Sequence, residues 1–378
     1  MTQTKRARPM LVGIAIFLIT GGGVAQAMAI DFQPRGRFHF DAGAYDSDIT
    51  QFGNGVAVRR GRLGVSGKLD DTWHFQIEYD FAEGGGGAAT DVFVGRKLGY
   101  GTVEIGQNLV PIGMNMLTSA NVLPFMERSS ASNVFSVVRR LGVRYDISGD
   151  RLTSQSMLFS RQMNDGGNDA NHEPIGFAQR FVYHPRFSES SLLHIGLAVA
   201  YENRRDFNSL RLRDRPEMRV ASDIRLIDTA EGTMEDVSAI GRLGFELAYQ
   251  SGPLLFEAEY LAMDVSRDDN ANPGFDGYHV QLGYVVTGES RSYSAGKFDG
   301  IRPAGNAGAW EVAARLSEID LNDAGVQGGE QKNITLGLNY YASARVRFMG
   351  NLVFVNARLP DGQTDKPKIV AFRTQYSF

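Results

Sequence analysis

A chain of 378 residues with 43% hydrophobic and 22% charged residues carries enough apolar material to fold, which excludes an intrinsically disordered protein. The length suits two or three soluble domains or one large barrel. A formal charge of −4 argues against a dedicated nucleic-acid binder, and the absence of cysteine excludes a disulfide framework and a thiolate metal site.

The first residues read as an export signal, not as fold. Lys5, Arg6 and Arg8 form a basic segment, "MLVGIAIFLIT" an apolar one, and "GGGVAQAMA" a small-residue tail with cleavage expected after Ala27 or Ala29. The alternative, a membrane anchor, needs roughly 18–20 apolar residues, more than this run supplies. Residues 1–29 are therefore assigned to the signal and 30–378 to the mature domain, whose formal charge falls to −7 because three basic residues leave and no acidic ones do. The mature chain is poor in lysine, retaining only Lys68, Lys97, Lys297, Lys332, Lys366 and Lys368.

Beyond residue 30, period-two segments recur with turn chemistry between them. In "TWHFQIEYDF", Trp73, Phe75, Ile77, Tyr79 and Phe81 alternate with His74, Gln76, Glu78 and Asp80. A strand puts these sets on opposite faces and a helix would mix them. Sixteen strands are expected near 35–46, 56–69, 72–82, 90–98, 101–109, 139–148, 152–162, 176–185, 192–203, 238–250, 254–265, 276–288, 308–320, 332–341, 345–358 and 368–378. The 44 glycines against 12 prolines fit such a turn-rich chain. Connections alternate between short ("DD", "GYG", "SGDR", "SGP", "YASA") and long (110–138, 163–175, 204–237, 266–275, 359–367). Short turns at one end and long loops at the other are the pattern of an outer-membrane barrel with both termini periplasmic. The segment 289–307 breaks the rule, being long yet periplasmic by parity; either a strand is miscounted or that turn is elaborated.

A soluble β-sandwich also alternates. The barrel is favoured because aromatics (Trp73, Tyr145, Tyr249, Tyr284, Trp310, Tyr340, Phe348) sit near the ends of the apolar faces, as an interfacial girdle requires, while the opposite faces are too charged for a dry inter-sheet core. The expected fold is an all-β transmembrane antiparallel barrel of about 16 strands. The final "VAFRTQYSF" then becomes a wall strand pairing with the first, its Arg373 pointing into water and Phe378 at the periplasmic interface.

The inward-facing parity supplies the candidate anion pathway: Arg60, Arg62, Lys68, Arg139, Arg140, Arg144, Arg180, Arg242, Arg315, Arg345, Arg347 and Arg373. Guanidinium groups stay charged and match oxyanions bidentately, and rings of them favour anions in pores. Acidic partners share these faces, so each arginine has a structural alternative in which it neutralises a wall carboxylate, as Arg242 and Glu246 or Glu311 and Arg315 are spaced to do. The loop 110–138 is too apolar to float in water and is expected to fold into the lumen as a constriction, with Glu127 and Arg128 as its charged residues; packing across a neighbouring subunit is the alternative. The glycines at 84–89 lack a P-loop lysine, "DDNANPG" places its glycine off the calcium-loop pattern, and neither HExxH nor GxSxG occurs. No cofactor, metal or enzymatic constellation is indicated.

Several strings, in order along the mature chain, resemble the phosphate-selective porin O and P family: "RRGRLGVSGKLDDTWHFQIEYDFA", "GQNLVPIGMNMLTSANVLPFMERS", "RRLGVRYDISGD", "GYHVQLGYVVTGESRSY", "GKFDGIRPAG" and "GAWEVAARLSEIDL". The resemblance implies a sixteen-stranded barrel, a homotrimer in outer-membrane lipid, passing small anions of the phosphate or polyphosphate class past an arginine ladder. It places Arg59, Arg60 and Arg62 on the family's basic second strand and Arg139 and Arg140 on the pair after the constriction loop, although this loop carries no lysine. The terminal Phe378 is similar to the signal read by the barrel-assembly machinery. A general porin with a mixed-charge lumen, or a plugged barrel serving as enzyme or adhesin, are the alternatives.

Overall fold

The computed structural model describes residues 31–82, 87–163, 173–204, 207–220, 223–230 and 232–378; the export signal expected at 1–29 lies outside them. Sixteen long strands form the wall: β1 Asp31–Asp46, β2 Gly55–Lys68, β3 Trp73–Asp80, β4 Ala88–Leu98, β5 Gly101–Leu109, β6 Arg139–Ser148, β7 Leu152–Phe159, β8 Ile175–Tyr183, β9 Ser191–Asn203, β10 Val237–Ser251, β11 Leu254–Arg267, β12 Gly274–Val285, β13 Ala309–Asp323, β14 Val326–Tyr341, β15 Val346–Arg358 and β16 Lys368–Ser377. Each pairs antiparallel with its sequence neighbour, and β1 pairs with β16 from Arg37↔Ser377 to Asp46↔Lys368, so no edge is left. Closure satisfies the backbone within the sheet, the condition for crossing a membrane with strands.

The seam extends to the last residue. Gly36 and Phe378 exchange backbone hydrogen bonds of 3.0 Å in both directions. A Cβ on residue 36 would lie 2.3 Å from the Phe378 ring, so glycine there lets the ring lie over the first strand.

The period-two pattern explains which face each residue takes. On β9, Ile195, Leu197, Val199 and Tyr201 are exposed on the outer wall while Gly196, Ala198, Ala200 and Glu202 are buried inside. Toward the end where β1 begins and β16 finishes, Trp310, Tyr340, Phe348 and Phe372 stack in succession across β13 to β16, with ring centroids 4.6, 6.4 and 6.4 Å apart. These rings form part of an interfacial aromatic girdle.

Three segments fold into the lumen. The connection after β5 enters with two short helices, α1 Met114–Leu117 and α2 Ser130–Phe135. The connection after β9 brings Met218, Val220 and Leu226 against Met126, Met349 and Val353. The third enters from the opposite end: residues 286–308, between β12 and β13, bury Tyr293, Phe298 and Ile301. The strand count is therefore intact, and the long turn is an elaborated one that fills space.

The lumen consequently has two unlike halves. Against β7 to β13, inward residues such as Met157, Ala178, Ala198, Ile240, Leu261 and Met263 pack on Val110, Ile112, Ala131 and Phe135 of the first infolded segment. This is a dry core inside the barrel. Inward apolar side chains here depart from the expectation that apolar parity means lipid; they face protein because a loop occupies the lumen. Against β1 to β6, the wall remains polar and open.

Candidate anion pathway

The open half contains a cavity of about 440 Å³. Its lining includes Arg35, Arg37, Arg60, Arg62, Arg128, Arg139, Arg144 and Lys297, eight cations, against Asp91, Glu104, Asp146 and Asp299, four anions. Most come from β1 to β6, where basic residues recur with period two. Arg35 and Arg37 alternate with Gly36 and Phe38, so both point inward.

β2 adds a local device. The β1–β2 register shifts between His39 and Phe40, pairing His39 with Arg60 and Phe40 with Val58, which leaves Arg59 as a bulge residue. A bulge lets successive residues reach the same side. Arg59 and Arg60 both approach Glu127 of the infolded loop: Arg59 donates to it at 2.8 and 3.1 Å, and Arg60 lies 3.9 Å away. Arg373 of β16 donates to the same carboxylate at 2.8 Å, and Arg219 of the second infolded segment stands at 3.8 Å. Burial pushes the Glu127 carboxyl up, but Arg59, Arg60, Arg373 and Arg219 outweigh it and hold the group well below the usual carboxylate range. Glu127 thus anchors the infolded loop to the wall at the barrel seam.

Arg128 points the other way. Its Nε donates to the Asn115 carbonyl at 2.9 Å and its Nη2 to those of Met116 and Thr118 at 3.2 and 2.6 Å, tying α1 to the loop while the group borders the cavity. Carbonyl partners fix the guanidinium without cancelling its charge. Arg35 is similar, donating to Gln76 at 2.9 Å. Among the described residues neither Arg35, Arg128 nor Lys297 forms an ion pair with a carboxylate. By contrast, Arg62 holds Asp80 at 2.7 Å and Glu78 at 3.3 Å, Arg139 holds Asp91 at 2.9 Å, and Arg144 holds Asp146 at 2.7 Å. Lys297 reaches the cavity from the turn 286–308; burial, then Arg144 and Arg180 nearby, lower its pKa.

Of the arginines and lysine expected on the pathway, the structure brings Arg60, Arg62, Arg139 and Arg144 onto this cavity. The others are placed differently. Lys68 ends β2 and Arg345 lies in the turn before β15; both are exposed at the rim because the chain has passed beyond the lumen there. Arg180 is sealed in the dry half, donating to Glu246 at 2.6 and 2.8 Å, to Gln155 and to the Gly296 carbonyl, so its charge belongs to a buried pair. Arg242 pairs with Glu202 at 3.4 Å, with Arg140 close enough to act on both electrostatically. Arg315 lies over the Phe125 ring and binds Glu217, while Arg347 donates to the Asn121 and Leu123 carbonyls. Arg373 holds Asp41 and Glu127. These three fasten the infolded segments. The parity reading identified which face they take, and only the loops decided which stay wet.

Arg35, Arg37 and Lys297 were missed. The alternation Arg35, Arg37, His39, Asp41 was available in β1. Lys297 offered no periodic signal, since its place depends on a turn entering the barrel.

The chain matches, over residues 32–378, a family described as phosphate-selective porin O and P. It is 30% identical over 336 residues to an uncharacterised protein of Caulobacter vibrioides, covering 84% of this chain and 67% of that one. It is 26% identical over 404 residues to Porin O of Pseudomonas aeruginosa, covering 94% and 88%. Its fold is similar to that of an anion-selective porin from Comamonas acidovorans, with a TM-score of 0.59, 15% identity, and 92% and 100% of the two chains covered. A closed sixteen-stranded barrel with a polar half-lumen, joined to a family match across the barrel, leads to one conclusion: this chain is an outer-membrane porin of the phosphate-selective porin O and P family.

Proposed function

We propose that the barrel conducts small anions, of the phosphate class, by passive diffusion along the cavity between β1–β6 and the infolded segments. The reading rests on the two-to-one excess of cations lining that cavity, with Arg35, Arg128 and Lys297 held by neutral groups or by none. Unneutralised cations in a narrow passage with low-dielectric walls concentrate anions and repel cations without any bond-making chemistry. The guanidinium of Arg35 suits phosphate oxygens, while Arg128, its Nε and Nη2 held by carbonyls, contributes charge. The relatives' names, Porin O and an anion-selective porin, support the same direction. The protein works as a homotrimer in this reading, its terminal Phe378 engaging the barrel-assembly machinery.

The test is reversal potential in a salt gradient across a planar bilayer, followed by block of the chloride current with added inorganic phosphate. An anion-signed potential and a saturable phosphate block are expected. A cation-signed potential overturns anion conduction and favours a general porin whose wall carboxylates dominate. An anion-signed potential without block leaves anion conduction and removes phosphate.

A further inference from the structure

Arginine dominates the lumen, yet three of the six lysines beyond residue 30 lie together on the outside of the barrel. They are Lys332 on β14, Lys366 just before β16 and Lys368 at its start, and Arg358 at the end of β15 joins them. Cross-strand register brings them to one height. Lys332 is opposite Asn356, Phe354 is opposite Lys368, and Arg358 is opposite Thr364. Glu330, Lys332, Asn356, Arg358, Thr364 and Lys366 line a depression of about 280 Å³.

This height is where the apolar wall stops. Outward positions on β14 run Tyr340, Leu338, Leu336 and Ile334, then change to Lys332 and Glu330; β15 runs Leu352 and Phe354, then Asn356 and Arg358; β16 runs Phe372 and Val370, then Lys368. Tyr340 lies in the stacked girdle toward the termini. Eight residues of a tilted strand separate it from Lys332, about 20 Å along the membrane normal, close to the height of a barrel's apolar band. The patch therefore borders the leaflet at the end with the long connections, which in outer-membrane barrels faces outward.

The charges there are available. Lys332 pairs with Glu318 at 2.9 Å. Among the described residues the side chains of Arg358, Lys366 and Lys368 form no ion pair or hydrogen bond, and Glu330 is the acidic member of the depression. A row of unsatisfied cations above a continuous apolar wall is complementary to a lipid whose anionic headgroup sits above its acyl chains. We propose that Arg358, Lys366 and Lys368, with Lys332 at the edge, clamp the phosphorylated sugar headgroup of an outer-leaflet glycolipid whose chains lie along Ile334, Phe354 and Val370.

The test uses the refolded full-length barrel in detergent, with native mass spectrometry to count lipid bound per protomer. Phosphorylated lipid A, the same lipid enzymatically dephosphorylated, and inorganic phosphate are the three probes. Retention of phosphorylated lipid A, with dephosphorylated lipid A bound far more weakly, is expected. The triple variant Arg358→Gln, Lys366→Gln, Lys368→Gln is expected to weaken it on the order of 100-fold, leaving reversal potential unchanged. Equal binding of the two lipids to the wild type overturns the proposal without any variant, as does undiminished binding in the triple variant. Competition by millimolar inorganic phosphate alone would assign the patch to free phosphate instead. Loss of the oligomer in the variant would make it a subunit interface.

Discussion

Arg373, four residues before the last strand ends, grips Asp41 of the first strand with two hydrogen bonds of 2.6 and 2.7 Å. Both side chains are fully enclosed, and the same guanidinium reaches Glu127 at 2.8 Å. The closure of the barrel and the seating of the infolded loop are thus one charge network.

Replacing Arg373 tests that network. Arg373→Met strands Asp41 and Glu127 as buried carboxylates with one fewer partner, and breaking such a group typically costs about 3–5 kcal/mol. A lower urea midpoint for the folded barrel is expected, measured by the heat-modifiable shift on gels. Unchanged resistance would mean that the seam's backbone pairing alone holds the closure.

Acid should loosen the loop. Because the Glu127 carboxyl is held well below its usual range, it contributes stability that is complete above the ordinary carboxylate pKa of about 4.3 and is lost as pH falls through its lower folded value. Single-channel records are therefore expected to be quiet at neutral pH and to show larger, noisier conductance below about pH 4. Glu127→Gln should show the acid behaviour at neutral pH. A variant as quiet as the wild type across the range would detach Glu127 from the loop's anchoring.

Selectivity should follow the unneutralised cations. Arg35→Gln, Arg128→Gln and Lys297→Gln are each expected to weaken phosphate block several-fold and to move the reversal potential toward cations. Arg345→Gln, at the exposed rim, should leave both measurements close to unchanged. The reverse ranking would move the pathway away from these three cations.

Lys297 adds an alkaline signature. Its lowered pKa means that it loses charge at a lower pH than a free lysine, so anion selectivity should decline as pH rises toward the lysine range. The decline should vanish in Lys297→Gln. Reversal potentials measured from pH 7 to 10 decide it.

The glycine at the seam can be tested by coupling. Gly36→Ala puts a methyl into the Phe378 ring, so it should lower stability by roughly 1 kcal/mol in the wild type and little in Phe378→Ala. Additive effects would show that ring and glycine do not share the site.

The wall was legible because strand alternation is a local property: each residue's parity fixes its face once the backbone is extended, and turn residues mark each reversal. All sixteen strands, the closing role of "VAFRTQYSF" and the inward side of Arg60, Arg62, Arg144 and Arg373 followed from that. Which inward arginine meets water did not follow. It depends on where 110–138, 204–236 and 286–308 come to rest, and those segments are held by contacts far apart in sequence, such as Arg59 with Glu127, Arg180 with the Gly296 carbonyl and Arg315 with Glu217. Inside a barrel, parity has only two values, lipid or lumen. The division of the lumen into a dry core and a basic passage is a matter of volume filled, and only the folded chain sets it.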